Sequence, residues 1–156
     1  MGSVTFIREL VPRRLVATAA QITYNEPYRT VPMFHRLDLS ESNETKRASY
    51  EWRDGTKYGV LRVEADGRGE PLVPGSFEDF LTHREWGYTR QRDGSTVEYQ
   101  VEHPPWRVWS CVDARVDCDV APLYGQPFIE ALGGRPTSAF VADGSEVTVR
   151  RGRQLA

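Results

Sequence analysis

Apolar and polar residues change rhythm along this chain, and each rhythm predicts an element. Residues 3–10 (SVTFIREL) alternate, with Val4 and Phe6 on one face, and predict a strand. Over 12–24 the spacing turns helical, with Leu15, Ala19 and Ile22 on one side and Val16 and Ala20 beside them. Pro12 suits the first helical position, because its missing N–H would have been unsatisfied anyway. Asn25-Glu26-Pro27 ends the helix, since the residue before a proline avoids the helical region. From Arg29 the period becomes two, and strands are expected at 30–39, 45–53 and 56–64, the last two joined by the hairpin signal Asp54-Gly55. Residues 65–74 read as a loop. Gly75-Ser76 opens a short helix capped by Ser76, with Phe77, Phe80 and Leu81 on its buried side.

A second hairpin pairs 86–92 with 96–103 across Asp93-Gly94. A strand follows at 106–116, with Val108, Val112, Ala114 and Val116 facing inward. Residues 119–132 predict short helical turns, and 138–142 with 146–151 predict a closing hairpin over Asp143-Gly144. No internal repeat, linker or low-complexity segment interrupts the pattern. The expected architecture is a single α+β domain over 1–156. Its sheet is mainly antiparallel and curved, a partial β-barrel with two or three flanking helices.

Composition narrows the function classes. A formal net charge of −2 supplies no basic field for nucleic acid or an anionic membrane. No apolar run approaches the roughly 20 residues of a membrane-spanning helix. The start MGSVTFIREL has no secretory h-region, and Phe6 stands where a myristoylation signal needs Ser or Thr. Cys111 and Cys118 match no zinc spacing and read as free thiols of a soluble cytoplasmic protein. His35, His83 and His103 show no ligand spacing, so no metal and no cofactor is expected. Trp106 and Trp109 fall on opposite strand faces and form no stacking platform for bases.

Four stretches taken together, FIRELVPRR, YNEPY, VPGSFEDFLTHREWGYTRQRDG and VEYQVEHPPWRVW, resemble the bacterial DUF2071 (YqjF-like) family of uncharacterised proteins. The resemblance runs from Phe6 to Arg153. It implies a fold similar to acetoacetate decarboxylase, a cone-like β-barrel with flanking helices and an internal pocket, but no known activity. Members of that family usually carry a long portion before the FIRELVPRR strand. The resemblance therefore implies a chain corresponding to the C-terminal part of the usual domain. An open sheet edge would then be met by a second copy of the chain or by a separate N-terminal half, or the strand over 3–10 would close a smaller sheet.

In acetoacetate decarboxylases the similar helix opens with Pro-Lys-Lys, and one lysine forms a Schiff base. Here the place reads Pro12-Arg13-Arg14. Guanidinium stays protonated and cannot be that nucleophile. Lys46 and Lys57, in polar hairpin positions, are expected to be solvated. Schiff-base decarboxylation is thus excluded, and whether any other reaction is catalysed stays open.

Arg13 and Arg14 are cations at the helix end where the dipole prefers anions. Either Glu9 pairs with one and water with the other, or helix N–H groups and a forked guanidinium grip a carboxylate-like ligand, with Arg8 assisting. Tyr24, Asn25 and Glu26 (from YNEPY) either line the same pocket or merely stop the helix. Tyr88 and His103 complete the candidate set. Glu102, adjacent to His103 on a strand, points the other way and cannot orient it. The reading is a binder of a small anionic organic molecule. Its rival is a structural or interaction domain without a ligand.

Overall fold

The computed structural model describes residues 2–38 and 45–155, so position 39 of the expected strand 30–39 lies outside the described residues. The first half contains β1 (Ser3–Val4), β2 (Glu9–Val11), α1 (Arg14–Tyr24), β3 (Tyr28–Thr30), β4 (Met33–Asp38), β5 (Lys46–Asp54) and β6 (Lys57–Ala65). After β7 (Glu70–Pro71) come α2 (Phe77–Thr82), β8 (Trp86–Arg90), β9 (Thr96–Glu102) and β10 (Arg107–Asp117). Then follow α3 (Val120–Tyr124), a 3-10 turn (Gln126–Phe128), α4 (Ile129–Leu132), β11 (Phe140–Ala142), β12 (Thr148–Val149) and β13 (Arg153–Leu155). The class is the α+β class expected, with a strongly curled, half-barrel antiparallel sheet. Among the described residues no helix is long and apolar enough to cross a membrane.

The chain packs as two compact units. One comprises Met1–Thr30, Pro71–Arg107 and Asp143–Ala156, and the other Val31–Glu70 with Val108–Ala142.

In the first unit β8 and β9 form the expected antiparallel hairpin. β1 joins β8 in parallel, and β12 and β13 pair with β9. The single strand expected over 3–10 is two strands, because β2 leaves β1 to pair in parallel with β3. Pro12 lies outside α1, whose N-cap, Arg13, is still extended (φ −98°, ψ 112°). The inward face of α1 also differs from expectation. Leu15 is 85% and Ile22 80% exposed, while Ala17 is buried and Ala20 partly so. Small residues at that spacing let the helix approach β2 and β3 closely, which a leucine face would not. In α2, Ser76 caps as expected, its Oγ accepting the Asp79 N–H at 3.1 Å. Phe77, Phe80 and Leu81 are nonetheless exposed; Phe80 packs under the Arg84 guanidinium, and Thr82 is the buried residue.

The second unit is an antiparallel sheet in the order β11-β10-β6-β5-β4. Asp54-Gly55 turns β5 into β6 as expected, with Gly55 at φ +60°. A register shift between Cys111 and Asp113 bulges β10 and leaves Val112 exposed rather than inward. The expected closing hairpin does not form: β11 pairs with β10 and β12 with β9, each finding a longer strand. Lys46, expected to be solvated, is only 5% exposed. It shares the apolar face of β5 with Ala48, Tyr50 and Trp52, which alternate with the polar positions 47, 49 and 51.

Candidate functional site

The structure divides the candidate residues among several places. In the first unit, α1 ends at Asn25, whose φ of +56° is left-handed, a conformation asparagine tolerates better than most residues. Three bonds clamp this corner onto the β8 side of the sheet: Asn25 Nδ2 to the Arg90 carbonyl (2.8 Å), Gln91 Nε2 to the Tyr24 carbonyl (2.9 Å), and Thr89 Oγ1 to the Asn25 carbonyl (3.4 Å). The chain then drives Glu26 inward, where it is 4% exposed. Tyr99 reaches it from β9 and donates its hydroxyl hydrogen to Oε1 at 2.8 Å. Gly87, directly across on β8, makes room: a Cβ there would collide with the Tyr99 ring.

The second oxygen of Glu26, Oε2, is buried without a hydrogen-bond partner among the described residues. Burial pushes the Glu26 carboxyl above its ordinary range, against the Tyr99 hydrogen bond, which pulls it down. Glu9, opposite Tyr28 across β2 and β3, is also pushed up, first by burial and then by Glu26. The Tyr28 and Tyr99 hydroxyls are raised too, each chiefly by burial. Glu9 therefore faces Glu26 and is not the partner of Arg13 or Arg14.

Those two arginines are exposed at the opposite end of α1, roughly 16 Å of helix away from the Glu26 corner. The first turn holds no acidic residue and no side-chain cap. Among the described residues neither guanidinium makes an ion pair or side-chain hydrogen bond. The expected site thus splits: Glu9, Tyr24 and Glu26 come together, Asn25 buttresses their corner, and Arg13 and Arg14 stand apart. Arg8 is half-buried and engaged in an interaction of its own.

Tyr88 belongs to a different face. Strand alternation puts it and its partner Glu98 opposite Gly87 and Tyr99. There the Tyr88 hydroxyl donates to Glu98 Oε2 (2.8 Å) and Arg153 Nε to Oε1 (2.7 Å), holding the Glu98 carboxyl below its ordinary range. His103 is occupied structurally. Its ring nitrogens lie 2.9 Å and 3.1 Å from the carbonyls of Pro104 and Thr82, and its ring stacks on Trp106 at 4.0 Å. Glu102 is turned to Arg150, as the alternation required.

A place that sequence reading passed over lies in the second unit. Register aligns Arg36, Ser49, Arg62 and Arg115 in one row across β4, β5, β6 and β10. A groove of about 680 Å³ opens over this polar face, lined by Phe34, Arg36, Arg47, Ser49 and Arg62 among others. Arg47 pairs with Glu64 (2.9 Å) and Arg62 with Glu51 (3.0 Å), and Tyr58 also donates to Glu51. Both carboxyls are held below their ordinary range, Glu64 by Arg47, and Glu51 first by Tyr58 and then by Arg62. Arg36 has no such partner among the described residues. The available signal was arginine recurring at polar-face positions of successive strands.

The remaining nucleophiles are muted. Lys57 is paired with Asp119 at 2.6 Å. Burial pushes both free thiols up, and Asp117 and Asp119 push Cys118 further, which disfavours thiolate chemistry. Among the described residues no group of three or more His, Cys, Asp or Glu could hold a metal ion.

A family model, described as an uncharacterised conserved protein, matches residues 2–146. No curated protein and no solved structure matches the chain.

Proposed function

The chain belongs to the DUF2071 family, and from its own geometry we propose that it binds a small anionic organic molecule in the groove over β4, β5 and β6. The observation that carries this reading is Arg36, a guanidinium without an ion-pair partner among the described residues, in a groove of about 680 Å³, within the size range of small-molecule pockets. Its row neighbours are the Ser49 hydroxyl and the Arg62 guanidinium. An incoming carboxylate would meet a planar fork of donors at Arg36 and a neutral donor at Ser49. Phe34, 75% exposed at the same groove, offers an apolar surface for the organic part. Arg47 and Arg62 are already paired with Glu64 and Glu51, and Asp38 and Asp113 also line the groove, so Arg36 is the cation on which an incoming anion would depend.

Isothermal titration with succinate, benzoate and inorganic phosphate tests this. Binding should be salt-sensitive and weaken about tenfold or more in Arg36→Gln, as expected for loss of a charge-assisted hydrogen bond. Equal affinity in wild type and Arg36→Gln would reject the groove. A second reading is supported by Arg13 and Arg14, which have no ion-pair partner among the described residues, at an uncapped helix start. It would be favoured if Arg13→Gln/Arg14→Gln abolishes binding while Arg36→Gln does not. Absence of binding by all three anions would favour the structural or interaction domain.

A further inference from the structure

We infer that the Glu9–Glu26–Tyr99 cluster is a binding site for a small organic cation bearing a primary ammonium group. Glu26 is 4% exposed, accepts the Tyr99 hydrogen on Oε1 at 2.8 Å, and leaves Oε2 buried without a partner among the described residues. A buried polar oxygen of a native protein is normally satisfied, so an unsatisfied one calls for a missing partner. The second carboxylate belongs to Glu9, which stands opposite Tyr28 and donates its backbone N–H to the Pro27 carbonyl at 3.2 Å, next in the chain to Glu26, and no ion pair with a cation is formed by either glutamate among the described residues.

The walls discriminate between ligand classes. Once ionised, the two carboxylates repel an anion, and a neutral molecule would leave their mutual repulsion in place. A divalent metal would find too few strong ligands, since among the described residues no third His, Cys, Asp or Glu joins them. An ammonium group brings three N–H donors and one positive charge. It can donate to Glu26 Oε2 and to the Glu9 carboxylate, with a phenol oxygen left to accept the third hydrogen. Tyr24 and Tyr99, with ring centroids 4.9 Å apart, and Tyr28 beside Glu9 provide phenol rings of the kind that attract alkylammonium groups. Glu9, Tyr24 and Tyr28 are only half-buried. The inference stands on the first unit alone and is independent of the anion groove.

Because the cation replaces protons on the carboxyl pair, the two compete. Glu9 and Glu26 face one another and the Tyr28 and Tyr99 hydroxyls, and the site is filled only once the pair is deprotonated. Methylammonium is the probe. With ¹³C-labelled glutamate, the carboxyl titrations of Glu9 and Glu26 are followed by NMR with and without saturating methylammonium chloride. Matched sodium chloride serves as the control. The expected result is that both midpoints fall with methylammonium and not with sodium, and that Glu26→Gln weakens binding about tenfold or more. Midpoints that move equally in sodium, or do not move in methylammonium, overturn the inference. So does a folded Glu26→Gln variant that binds as tightly as wild type. If that variant does not fold, the wild-type titration alone decides.

Discussion

Glutamates occur both in the charged groove of the second unit and in the Glu26 corner of the first, and the two places treat them oppositely. Across β5 and β6, register sets Arg47 beside Glu64, while Glu51 gathers Tyr58 and Arg62, and these carboxyls are drawn below their ordinary range. In the corner, Glu9 and Glu26 are taken out of water toward each other, and both are pushed above it. The difference comes from how each position is made. A sheet register automatically supplies cross-strand neighbours, and opposite charges there need only choose compatible rows. A helix terminus followed by a left-handed residue delivers a side chain inward with no such ladder of partners. An unsatisfied group is therefore more informative in the corner than a satisfied one is in the groove.

The largest expected effect breaks the corner. Gly87→Ala places a Cβ into the Tyr99 ring and should cost about 2–3 kcal/mol, the scale of an overpacked core. Thermal unfolding should then begin roughly 5–10 °C lower for a chain of this size. An unchanged melting temperature would mean that the Tyr99 ring is not held against the strand.

The next test separates the two places by pH. A carboxyl raised in the folded state stabilises fully below its unfolded value, and that contribution is lost as pH rises through the folded value. Glu9 and Glu26 follow this sense, from 4.5 upward. Glu51 and Glu64 are lowered, so their contribution is present above 4.5 and is lost as pH falls through their folded values. Glu26→Gln should therefore flatten the fall in stability that sets in as pH rises above 4.5. In urea unfolding at pH 8 it should be more stable than wild type by about 1 kcal/mol, the low end of the cost of a buried unsatisfied group. A profile parallel to wild type would remove Glu26 from the account.

Smaller effects are expected from the groove. Arg47→Ala breaks an exposed pair and should leave the melting temperature within about a degree, a difference that 1 M salt erases. The smallest belongs to α1: Leu15→Ser with Ile22→Ser should change stability by no more than about 0.5 kcal/mol, since both side chains already stand in solvent. A large loss would show that this face is covered in solution.

Strand alternation and turn chemistry made much of the architecture readable in advance. Asp54-Gly55 and Asp93-Gly94 marked their hairpins because such turns need residues that accept a left-handed backbone. Residues 138–142 and 146–151 misled because a turn signal says that the chain can reverse, not that the flanking strands choose each other. The α1 face was misassigned for a related reason: Leu15 and Ile22 mark hydrophobicity, whereas close packing on β2 and β3 selected Ala17 and Ala20. Glu9, Tyr24 and Glu26 were legible as candidates, but Tyr99 was not, because its contact with Glu26 spans 73 positions. Arg36 was hidden by its ordinariness, as one polar residue in an alternating strand.

The threading of the chain through its two units has a consequence for the order in which they can form during synthesis. The second unit draws its last strand from Phe140–Ala142, whereas the first still waits for β12 and β13. The unit whose first residues are made earliest is thus the last to receive its final strands. At roughly 5–20 residues per second, about a second of translation separates the two moments, longer than many elementary folding events require. During that interval one edge of β9, including Glu98 before Arg153 arrives, is exposed to whatever the emerging chain meets. A nascent chain halted near position 143 should therefore present β9 as its sticky surface, and one released after Leu155 should not.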